Sequence, residues 1–299
     1  MISIIVCSRN KILPKLFIDN IKETVGIDYE IICIDNSENS YSIFSAYNAG
    51  VVKSKYPYLC FVHEDVFFHS KNWGMSVIDH LQQPKTGIIG LAGGDLVTRI
   101  PASWSTLISM SEHIIKSDKT GKKQTVIAQN PKDYNKSRRS AILLDGVFMC
   151  MRRKLFDQIQ FDEQFSGFHG YDFDISIQST LAGFNNYVIY DVDLEHFSRG
   201  KTNGTYFRNL IQVFKKWEKY LPLIGKNISP EESLKIAEIE KRKLLQLTKK
   251  MVRKGFLTKE ILDHTTYYAN LIGFLKACQH LKIRIFFIRL FNCPKYLFK

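Results

Sequence analysis

Short apolar runs alternate with helically spaced segments along the first 190 residues of the chain. Continuous apolar runs of about four to eight residues are typical of buried parallel strands, and apolar positions three to four residues apart are typical of helices. The pattern predicts strands over residues 3–7, 29–34, 58–62, 87–91, 141–151 and 187–190. It predicts helices over residues 13–24, 43–53, 73–82, 171–182 and 207–220. This alternation predicts an α/β fold with a doubly wound, mostly parallel sheet and helices on both faces.

Two stretches depart from this alternation. Residues 93–139 are polar and rich in Lys, Ser, Asn and Gly, which predicts long loops or a small excursion over the sheet. Beyond Pro230 the sequence is helix-forming until near Phe291. We therefore predict an α/β domain over residues 1–222 and a helical, basic C-terminal region over residues 223–299.

The net charge of +13 lies mostly in the C-terminal region. Residues 226–299 contain 16 Lys and Arg but only 6 Asp and Glu, so they carry +10 of the total. A surface of interleaved basic and aromatic side chains is typical of nucleic-acid-binding proteins. The sequence of residues 1–220 shows no such pattern. We therefore predict no nucleic-acid partner, and a homo-oligomer stays open as an alternative to a monomer.

Cysteine spacing and hydropathy bear on the compartment. The six cysteines lie far apart, at positions 7, 33, 60, 150, 278 and 293, and no CxxC pair occurs. This spacing predicts neither a disulfide framework nor a zinc knuckle. No apolar run approaches the ~20 residues that span a bilayer, and no secretory-signal pattern opens the sequence. We predict a cytoplasmic protein.

Acidic residues follow two of the early predicted strands. Asp35 follows the second strand, and Glu64 and Asp65 follow the third. A single Asp at such a position is typically a helix N-cap or part of an Asx turn. Because ligands of open α/β sheets bind outside the carboxyl ends of the strands, the two sites together predict ligand binding. Asp35 is a candidate for contacting a base or ribose, and Asp65 for holding Mg²⁺ or Mn²⁺ on a diphosphate; an added imidazole favours Mn²⁺.

A Gly- and aromatic-rich segment, residues 165–176, leads into a predicted helix that carries Asp172 and Asp174. Residues two apart do not share a helix face, so one acid can point into a cleft while the other braces the helix start. The alternative is that both acids only complement the helix macrodipole. His196 follows the last predicted strand, where a lone histidine is more often structural than a metal ligand.

Two tryptophans, Trp73 and Trp104, are candidates for stacking on a sugar ring. Ordinary packing in the core or in a loop is the alternative interpretation of both.

Six short motifs stand in a fixed order along the chain, at residues 4–10, 32–36, 46–50, 61–65, 144–148 and 170–174. Together they resemble a family 2-type glycosyltransferase with the GT-A fold. The resemblance covers about residues 2–220. The His-Glu-Asp ending of the third predicted strand and the segment 168–172 further resemble the StrF-like branch, named for a streptomycin-biosynthesis protein.

The resemblance implies transfer of a sugar from a nucleotide-diphosphate donor, with a UDP-sugar favoured, to a hydroxyl of a glycan or lipid-linked acceptor. It implies inversion at the anomeric carbon and a role in surface polysaccharide synthesis. The implied catalytic base is Asp172, and the implied ligands of Mn²⁺ or Mg²⁺ are Asp65, His63 and His196. The implied donor-binding residues are Ser8, Arg9, Asp35, Asn48, Glu64, Asp145 and Gly146, with Asp35 on the base. Such a metal stabilises charge on the departing diphosphate, while a carboxylate takes the proton of the attacking hydroxyl.

Two positions depart from the family pattern. His63 stands where the family's Asp-x-Asp motif has its first acid, and a neutral imidazole brings no charge to a metal. Tyr171 stands where the family's Glu-Asp pair has its Glu. The alternative hypothesis is therefore a non-catalytic nucleotide-sugar-binding or scaffold protein that retains the fold.

The C-terminal residues 276–299 contain six Lys and Arg, no Asp or Glu, and many Ile, Phe and Leu. A basic helix of this composition suits the surface of an anionic membrane. The alternative is a helix that packs on the catalytic domain or on a dimer partner. Membrane contact through residues 281–299 would fit a lipid-linked acceptor and place the protein on the inner face of the cell membrane.

Overall fold

The computed structural model describes residues 1–105, 108, 110–117, 123–128, 137–197, 202–292 and 296. The chain divides into two units. The first unit comprises residues 1–96, 104–200 and 225–227, and the second comprises residues 97–103, 201–224 and 228–299. The two units interleave along the sequence. The boundary at residue 222 between an α/β domain and a helical C-terminal region stays a prediction.

The bounds of the elements follow the apolar pattern closely over the first 90 residues, where every predicted strand and helix is confirmed within about two residues. The described strands are β1 (Ile2–Ser8), β2 (Tyr29–Asp35), β3 (Tyr58–Val62), β4 (Val66–Phe68), β5 (Thr86–Gly90), β6 (Ala92–Gly94), β7 (Leu96–Val97), β8 (Met110–Ser117), β9 (Lys123–Ala128), β10 (Arg138–Ala141), β11 (Leu143–Leu144), β12 (Phe148–Arg152), β13 (Asn185–Ile189), β14 (Leu194–His196) and β15 (Leu223–Ile224). The described helices are α1 (Lys15–Thr24), α2 (Ile43–Lys53), α3 (Trp73–Gln82), α4 (Arg153–Phe156), α5 (Tyr171–Leu181), α6 (Gly204–Trp217), α7 (Pro230–Ser233), α8 (Ile236–Arg253), α9 (Thr258–Leu271) and α10 (Leu281–Asn292).

The larger sheet of the first unit has the strand order β10-β13-β5-β12-β3-β1-β2. Strand β1 pairs in parallel with β2 and β3, and β5 pairs in parallel with β13. Strand β12 lies antiparallel between β3 and β5, and β10 is antiparallel to β13. Five of the seven strands in the described residues therefore run in one direction, which confirms the mostly parallel sheet.

Alternate residues of the central strands enter two different cores. Ile4 and Val6 of β1 pack with α1 and α3 on one face of the sheet, whereas Ile5 packs with α2 and α5 on the other. All three side chains are fully buried. Burying a Val or Ile side chain contributes roughly 1.5–3 kcal/mol, so this alternation favours a strand covered on both faces. The predicted helices on both faces are confirmed.

A second sheet occupies part of the stretch where the sequence predicted long loops. Its strand order is β11-β6-β8-β14-β4, and β9 pairs with β8. The interpretation as long loops is wrong for residues 93–94, 96–97, 110–117, 123–128 and 138–139, which are strands. The polar sequence of β8 and β9 and the short glycine-rich β6 lack a strand-like apolar pattern. The remaining loop predictions at 106–107, 109, 118–122 and 129–136 lie outside the described residues.

A disulfide joins Cys60 to Cys150, which the sequence analysis did not predict. The two residues are register partners on β3 and β12, their Cα atoms are 4.2 Å apart, and both side chains are fully buried. Their sequence separation of 90 residues gave no signal. Only the antiparallel insertion of β12 beside β3 brings the two sulfurs together.

The second unit is helical, as predicted for the C-terminal region. Its core includes Leu244, Leu247 and Met251 of α8, together with Phe256 and Tyr268. The three α8 residues recur at intervals of three and four, the spacing of one helix face. Among the described residues, no helix is long and apolar enough to cross a membrane.

One ion pair joins residues 97–103 to helix α8 within the second unit. The carboxylate of Glu240 is fully buried and accepts hydrogen bonds from the backbone N–H (2.8 Å), Nε (3.1 Å) and Nη2 (2.5 Å) of Arg99. The Nη1 group of Arg99 donates to the carbonyl of Leu271 at 3.3 Å. Hydrogen bonding to Glu240 raises the pKa of Arg99 above its ordinary value. The buried charge is therefore fully paired.

Replacing Glu240 with Ala is expected to lower the free energy of unfolding by about 3–5 kcal/mol, because the guanidinium and backbone N–H of Arg99 lose their acceptor. Urea denaturation followed by circular dichroism measures the change. The matched control is Glu238→Ala, an exposed acid on the same helix, which we expect to change the free energy by at most ~0.5 kcal/mol. Equal effects of the two variants would contradict a stabilising role for this pair.

Candidate active site

The antiparallel pairing of β4 with β14 assembles one side of the site in the first unit. Residues 63–65 leave the carboxyl end of β3, and β4 begins at Val66. Strand β14 places His196 opposite Val66, and the backbone N–H of Phe197 donates to the carbonyl of Asp65 at 3.1 Å. This pairing brings residues more than a hundred positions apart to one edge of the sheet, where ligands of α/β folds bind.

His63, Asp65 and His196 form a cluster in which the candidate ligand atoms all lie within 4.8 Å of one another. The Oδ1 atom of Asp65 is 3.9 Å from Nδ1 of His63 and 3.3 Å from Nε2 of His196. All three side chains are partly buried. Two imidazole nitrogens and one carboxylate suit Mn²⁺ better than Mg²⁺, which prefers an all-oxygen octahedron. The three predicted metal ligands are therefore brought together.

The hydrogen bonds of His63 determine which of its ring nitrogens faces the cluster. The hydroxyl of Tyr171 donates to the carbonyl of Gly146 at 3.1 Å. When that hydroxyl proton is on the Gly146 carbonyl, the phenol oxygen accepts from Nε2–H of His63 across the contact of 2.9 Å. Nδ1 is then unprotonated and faces Asp65. Burial, and next the charge of His196, lower the pKa of His63, which keeps the ring neutral and able to bind a metal.

The two positions that depart from the family pattern, His63 and Tyr171, are thus hydrogen-bonded partners. Tyr171 is buried and packs edge-on against Tyr47 with ring centroids 5.5 Å apart. A Cβ atom on Gly146 would lie 2.1 Å from the Tyr171 hydroxyl oxygen, so only glycine fits beside the ring. This contact of Tyr171 with His63 was not predicted from the sequence. The feature that could have indicated a buried Tyr171 is its four-residue spacing from Ile175, which puts both side chains on the buried face of α5.

Replacing Tyr171 with Phe is expected to weaken Mn²⁺ binding about 10-fold, because Nε2 of His63 loses the hydrogen-bond partner that orients its ring while the aromatic ring at position 171 still packs. Titration of Mn²⁺ followed by electron paramagnetic resonance measures the affinity. Tyr58→Phe is the control, since Tyr58 lies at the opposite end of β3 and should leave the affinity unchanged. An unaltered affinity in Tyr171→Phe would show that the hydroxyl does not orient His63.

Asp172 lies in the first turn of α5 and is held to the loop before β12. Its Oδ2 atom accepts from the backbone N–H of Gly146 at 3.2 Å, and its Oδ1 atom accepts from that of Phe173 at 3.0 Å. Burial, and next the charge of Asp145, raise the pKa of Asp172 to about 8. The carboxyl group can therefore gain and lose a proton near neutral pH, as a general base must.

The second acid of this helix has different surroundings, as the spacing of two residues predicted. Asp174 is fully buried and accepts a hydrogen bond from Nε2 of Gln178, one turn further along, at 2.7 Å. Asp174 therefore braces α5 from within the first unit, whereas Asp172 is bonded to the loop at residue 146.

The two tryptophans also separate. Trp73 is fully buried and stacks on Phe68 with ring centroids 4.3 Å apart, so its interpretation as a sugar-stacking residue is wrong and it is a core side chain. Trp104 is half-buried and its Nε1–H donates to Oδ2 of Asp145 at 2.9 Å. The Oδ1 atom of Asp145 accepts from the backbone N–H of Val147 at 3.1 Å. Trp104 thus borders the loop that carries Asp145, and no pattern in the sequence indicated this contact.

Four of the predicted donor-binding residues lie at the carboxyl ends of β1 and its neighbours. The hydroxyl of Ser8 donates to Glu64 at 2.5 Å, and the backbone N–H of Arg9 donates to the same carboxylate at 3.3 Å. Asp35 is the register partner of Ser8 on β2 and is exposed. A hydrogen bond from the backbone N–H of Ser37 lowers the pKa of Asp35, which keeps it ionised.

The side chain of Asn48, on helix α2, forms hydrogen bonds with residues 161 and 163 of the chain that follows β12. Its Nδ2 donates to the carbonyl of Phe161 at 2.8 Å and to Glu163 at 2.7 Å, and its Oδ1 accepts from the backbone N–H of Phe161 at 3.3 Å. The amide therefore fixes this turn. A role of Asn48 in donor binding stays a prediction.

A family model described as "Glycosyltransferase like family" matches residues 3–198, about two thirds of the chain. Every residue of the site described above lies in this range. No curated protein matches the sequence significantly.

Two solved structures of transferases have a similar fold. One is GalNAc-T7 with UDP, GalNAc and Mn²⁺, at a TM-score of 0.52 and 11% identity over 92% of this chain and 56% of that chain. The present chain thus spans little more than half of that protein. The other is the mannosyltransferase PcManGT from Pyrobaculum calidifontis in complex with GDP-Man and Mn²⁺, at a TM-score of 0.50 and 12% identity over 95% of this chain and 86% of that chain. At these identities the likeness establishes the fold alone, and it confirms the GT-A fold predicted from the sequence.

Proposed function

The chain belongs to the glycosyltransferase-like family, and on that premise we propose that it transfers a sugar from a nucleotide-diphosphate donor to a hydroxyl of its acceptor. The observation that carries the proposal is the cluster of His63, Asp65 and His196 beside the loop at Gly146, to which Asp172 of α5 is hydrogen-bonded. The cluster and this loop are directly connected, because the backbone N–H of His63 donates to the carbonyl of Val147 at 3.1 Å. The proposed metal site and the proposed proton acceptor would thus lie side by side at one edge of the sheet.

The cluster fits a divalent metal, which in such a site supplies positive charge against the growing negative charge of the leaving diphosphate. Asp65 would contribute the one carboxylate, and His63 and His196 the two imidazoles. We propose Mn²⁺ as the preferred ion because nitrogen ligands favour it over Mg²⁺. Both fold neighbours were solved with Mn²⁺.

Asp172 would accept the proton of the acceptor hydroxyl while that oxygen forms its bond to the anomeric carbon and the bond from this carbon to the diphosphate breaks. Its raised pKa makes it a stronger base than an exposed carboxylate. Burial raises the pKa of Tyr171, so the neighbouring phenol stays neutral and does not compete for the proton. Inversion requires a base on the side of the sugar opposite the leaving group, and we propose that Asp172 is this base and that the reaction inverts the anomeric carbon.

The donor nucleotide is proposed to lie along the carboxyl ends of β1 and β2. Asp35 is ionised and exposed there, so it can accept a hydrogen bond from the N–H of a uracil base. Ser8, Arg9 and Glu64 form the adjoining hydrogen-bonded group. We favour a UDP-hexose as donor.

We propose membership of the StrF-like branch and a glycan or lipid-linked acceptor in surface polysaccharide synthesis. The proposed compartment is the cytoplasm, at the inner face of the cell membrane. Since disulfides are rare in reducing compartments, this placement requires Cys60 and Cys150 to be protected from reductant or to be thiols in the cell. Their complete burial between β3 and β12 is consistent with protection.

A second candidate function is a non-catalytic protein that binds nucleotide sugars. The observation that favours it is the pKa of Asp172 of about 8, which leaves the carboxyl mostly protonated at neutral pH. Binding of nucleotide at all pH values without transfer or donor hydrolysis would support this candidate.

The test is calorimetric titration of UDP and GDP into the protein with and without Mn²⁺, followed by a donor-hydrolysis assay with a panel of UDP-hexoses. We expect metal-dependent binding of UDP and slow Mn²⁺-dependent hydrolysis of at least one donor. Binding without hydrolysis at pH 9, where Asp172 is ionised, would favour the non-catalytic candidate. No binding of either nucleotide would overturn both.

A further inference from the structure

Helix α10 of the second unit exposes an apolar strip along its length. The strip, here called the outer face, consists of Ile283, Phe286, Phe287, Leu290 and Phe291, whose side chains are 40–74% exposed. At about 100° per residue these five positions lie on one side of the helix. The rings of Phe287 and Phe291 stack on each other at 6.0 Å. A contiguous exposed apolar surface of this kind marks a site of interaction.

The opposite side of α10 is firmly anchored. Leu281 and Ile285 are buried in the core of the second unit. Arg289 is buried as well, and its Nη2 and Nη1 atoms donate to the carbonyl of Phe256 at 2.7 Å and to Oγ1 of Thr258 at 2.8 Å. The helix therefore has a packed inner side and an exposed outer face.

Two exposed cations flank the outer face. On a helical projection Lys282 lies beside Phe286 at one border of the strip, and Arg284 lies beside Phe291 at the other. No acid occurs from residue 276 to the end of the sequence. Lys295 and Lys299 of this stretch lie outside the described residues. The arrangement is an apolar strip with positive charge on both sides.

We propose that the outer face of α10 docks on an anionic lipid membrane, with the helix lying in the plane of the interface. The five apolar side chains would enter the boundary between head groups and acyl chains, and Lys282 and Arg284 would contact lipid phosphates. Twelve residues of helix span only about 18 Å, too short to cross a bilayer. A second copy of the chain fits less well, because two outer faces in contact would bring their flanking cations together. This inference does not rest on the proposed function.

The test is co-sedimentation of the full-length protein with vesicles of phosphatidylcholine alone and of phosphatidylcholine with about 30% phosphatidylglycerol. We expect binding to the anionic vesicles, weakened by salt, and little binding to the neutral ones. The double variant Phe287→Asp/Phe291→Asp is expected to lose binding to background. The double variant Lys282→Gln/Arg284→Gln is expected to bind about 25-fold more weakly, at roughly fivefold per cation.

The matched control is Leu16→Asp/Val52→Asp, which replaces two exposed apolar helix residues of the first unit with the same change in charge. We expect it to bind vesicles as the unmodified protein does. Thermal unfolding of each variant reports whether the fold is intact, and the Gln variant keeps the test decisive if the Asp variant unfolds. Equal binding to both kinds of vesicle would overturn the role of the cations.

Failure of the unmodified protein to bind any vesicle would overturn the proposal. A dimer that dissociates in Phe287→Asp/Phe291→Asp would then identify a second copy as the occupant. Because neither metal nor nucleotide is present, these outcomes are independent of whether the protein transfers sugar.

Discussion

Replacing Asp65 with Ala is expected to weaken Mn²⁺-dependent binding of UDP at least about 100-fold. Asp65 supplies the carboxylate of its three-residue cluster with His63 and His196, and its Oδ1 atom lies 3.9 and 3.3 Å from nitrogens of the two rings. Without it, two neutral imidazoles would have to hold a dication and its diphosphate. Calorimetric titration of UDP with and without Mn²⁺ measures the loss.

The control for this variant is Asp79→Ala, an exposed acid on α3. It removes the same charge from the same unit and should leave UDP binding unchanged. Metal-dependent binding that survives in Asp65→Ala would contradict the assignment of the cluster. Loss of binding in both variants would point instead to the net charge of the unit.

Replacing Asp172 with Asn is expected to lower kcat about 1,000-fold while the affinity for UDP and Mn²⁺ changes by less than about twofold. The amide cannot accept the proton of the acceptor hydroxyl, but its Oδ1 atom can still accept a hydrogen bond from one of the two backbone N–H groups that the carboxylate binds, those of Gly146 and Phe173. Transfer or donor-hydrolysis rates under single-turnover conditions, together with UDP titration, separate the two effects. A variant that binds UDP normally and keeps its rate would exclude Asp172 as the base.

The pH dependence of kcat/KM is expected to follow the protonation of Asp172. The pKa of Asp172 is raised to about 8, so its carboxylate form is lost as the pH falls through 8 and is fully present above it. We expect kcat/KM to rise about 10-fold per pH unit below pH 8 and to level off above it. Asp145→Asn removes the second cause of the raised pKa while burial remains, so the rise should move toward lower pH. A rise centred near pH 4 would indicate a different base.

The part of the site that the sequence predicted is the part built from strand ends. Asp35 and Asp65 each follow an apolar run, and parallel strands bring such positions to one edge, so local pattern sufficed. The spacing of Asp172 and Asp174 likewise predicted different surroundings for the two acids. The role of His196 as a partner of Asp65 came from the family resemblance, because a lone histidine after a strand carries no such information.

The part that the sequence did not predict depends on pairing between distant segments. The bond between His63 and Tyr171 joins residues 108 positions apart, and each residue alone looked like a departure from the family pattern. The contact of Trp104 with Asp145 and the disulfide of Cys60 depend on the second sheet and on β12, whose antiparallel placement leaves no local periodic signal. Periodicity shows that a segment is a strand, but not which strand it joins.

The insertion of β12 between β3 and β5 also sets an order of events during synthesis. Strands β1, β2 and β3 are complete when the chain has reached residue 62, yet the partner of the free edge of β3 is made 90 residues after it. At about 5–20 residues per second, the ribosome needs roughly 5–20 s to supply it. During that interval the nascent chain presents an unpaired strand edge, of the kind that templates aggregation. The emerging polypeptide is therefore a natural client for chaperones that shield such edges until residue 152 has left the exit tunnel.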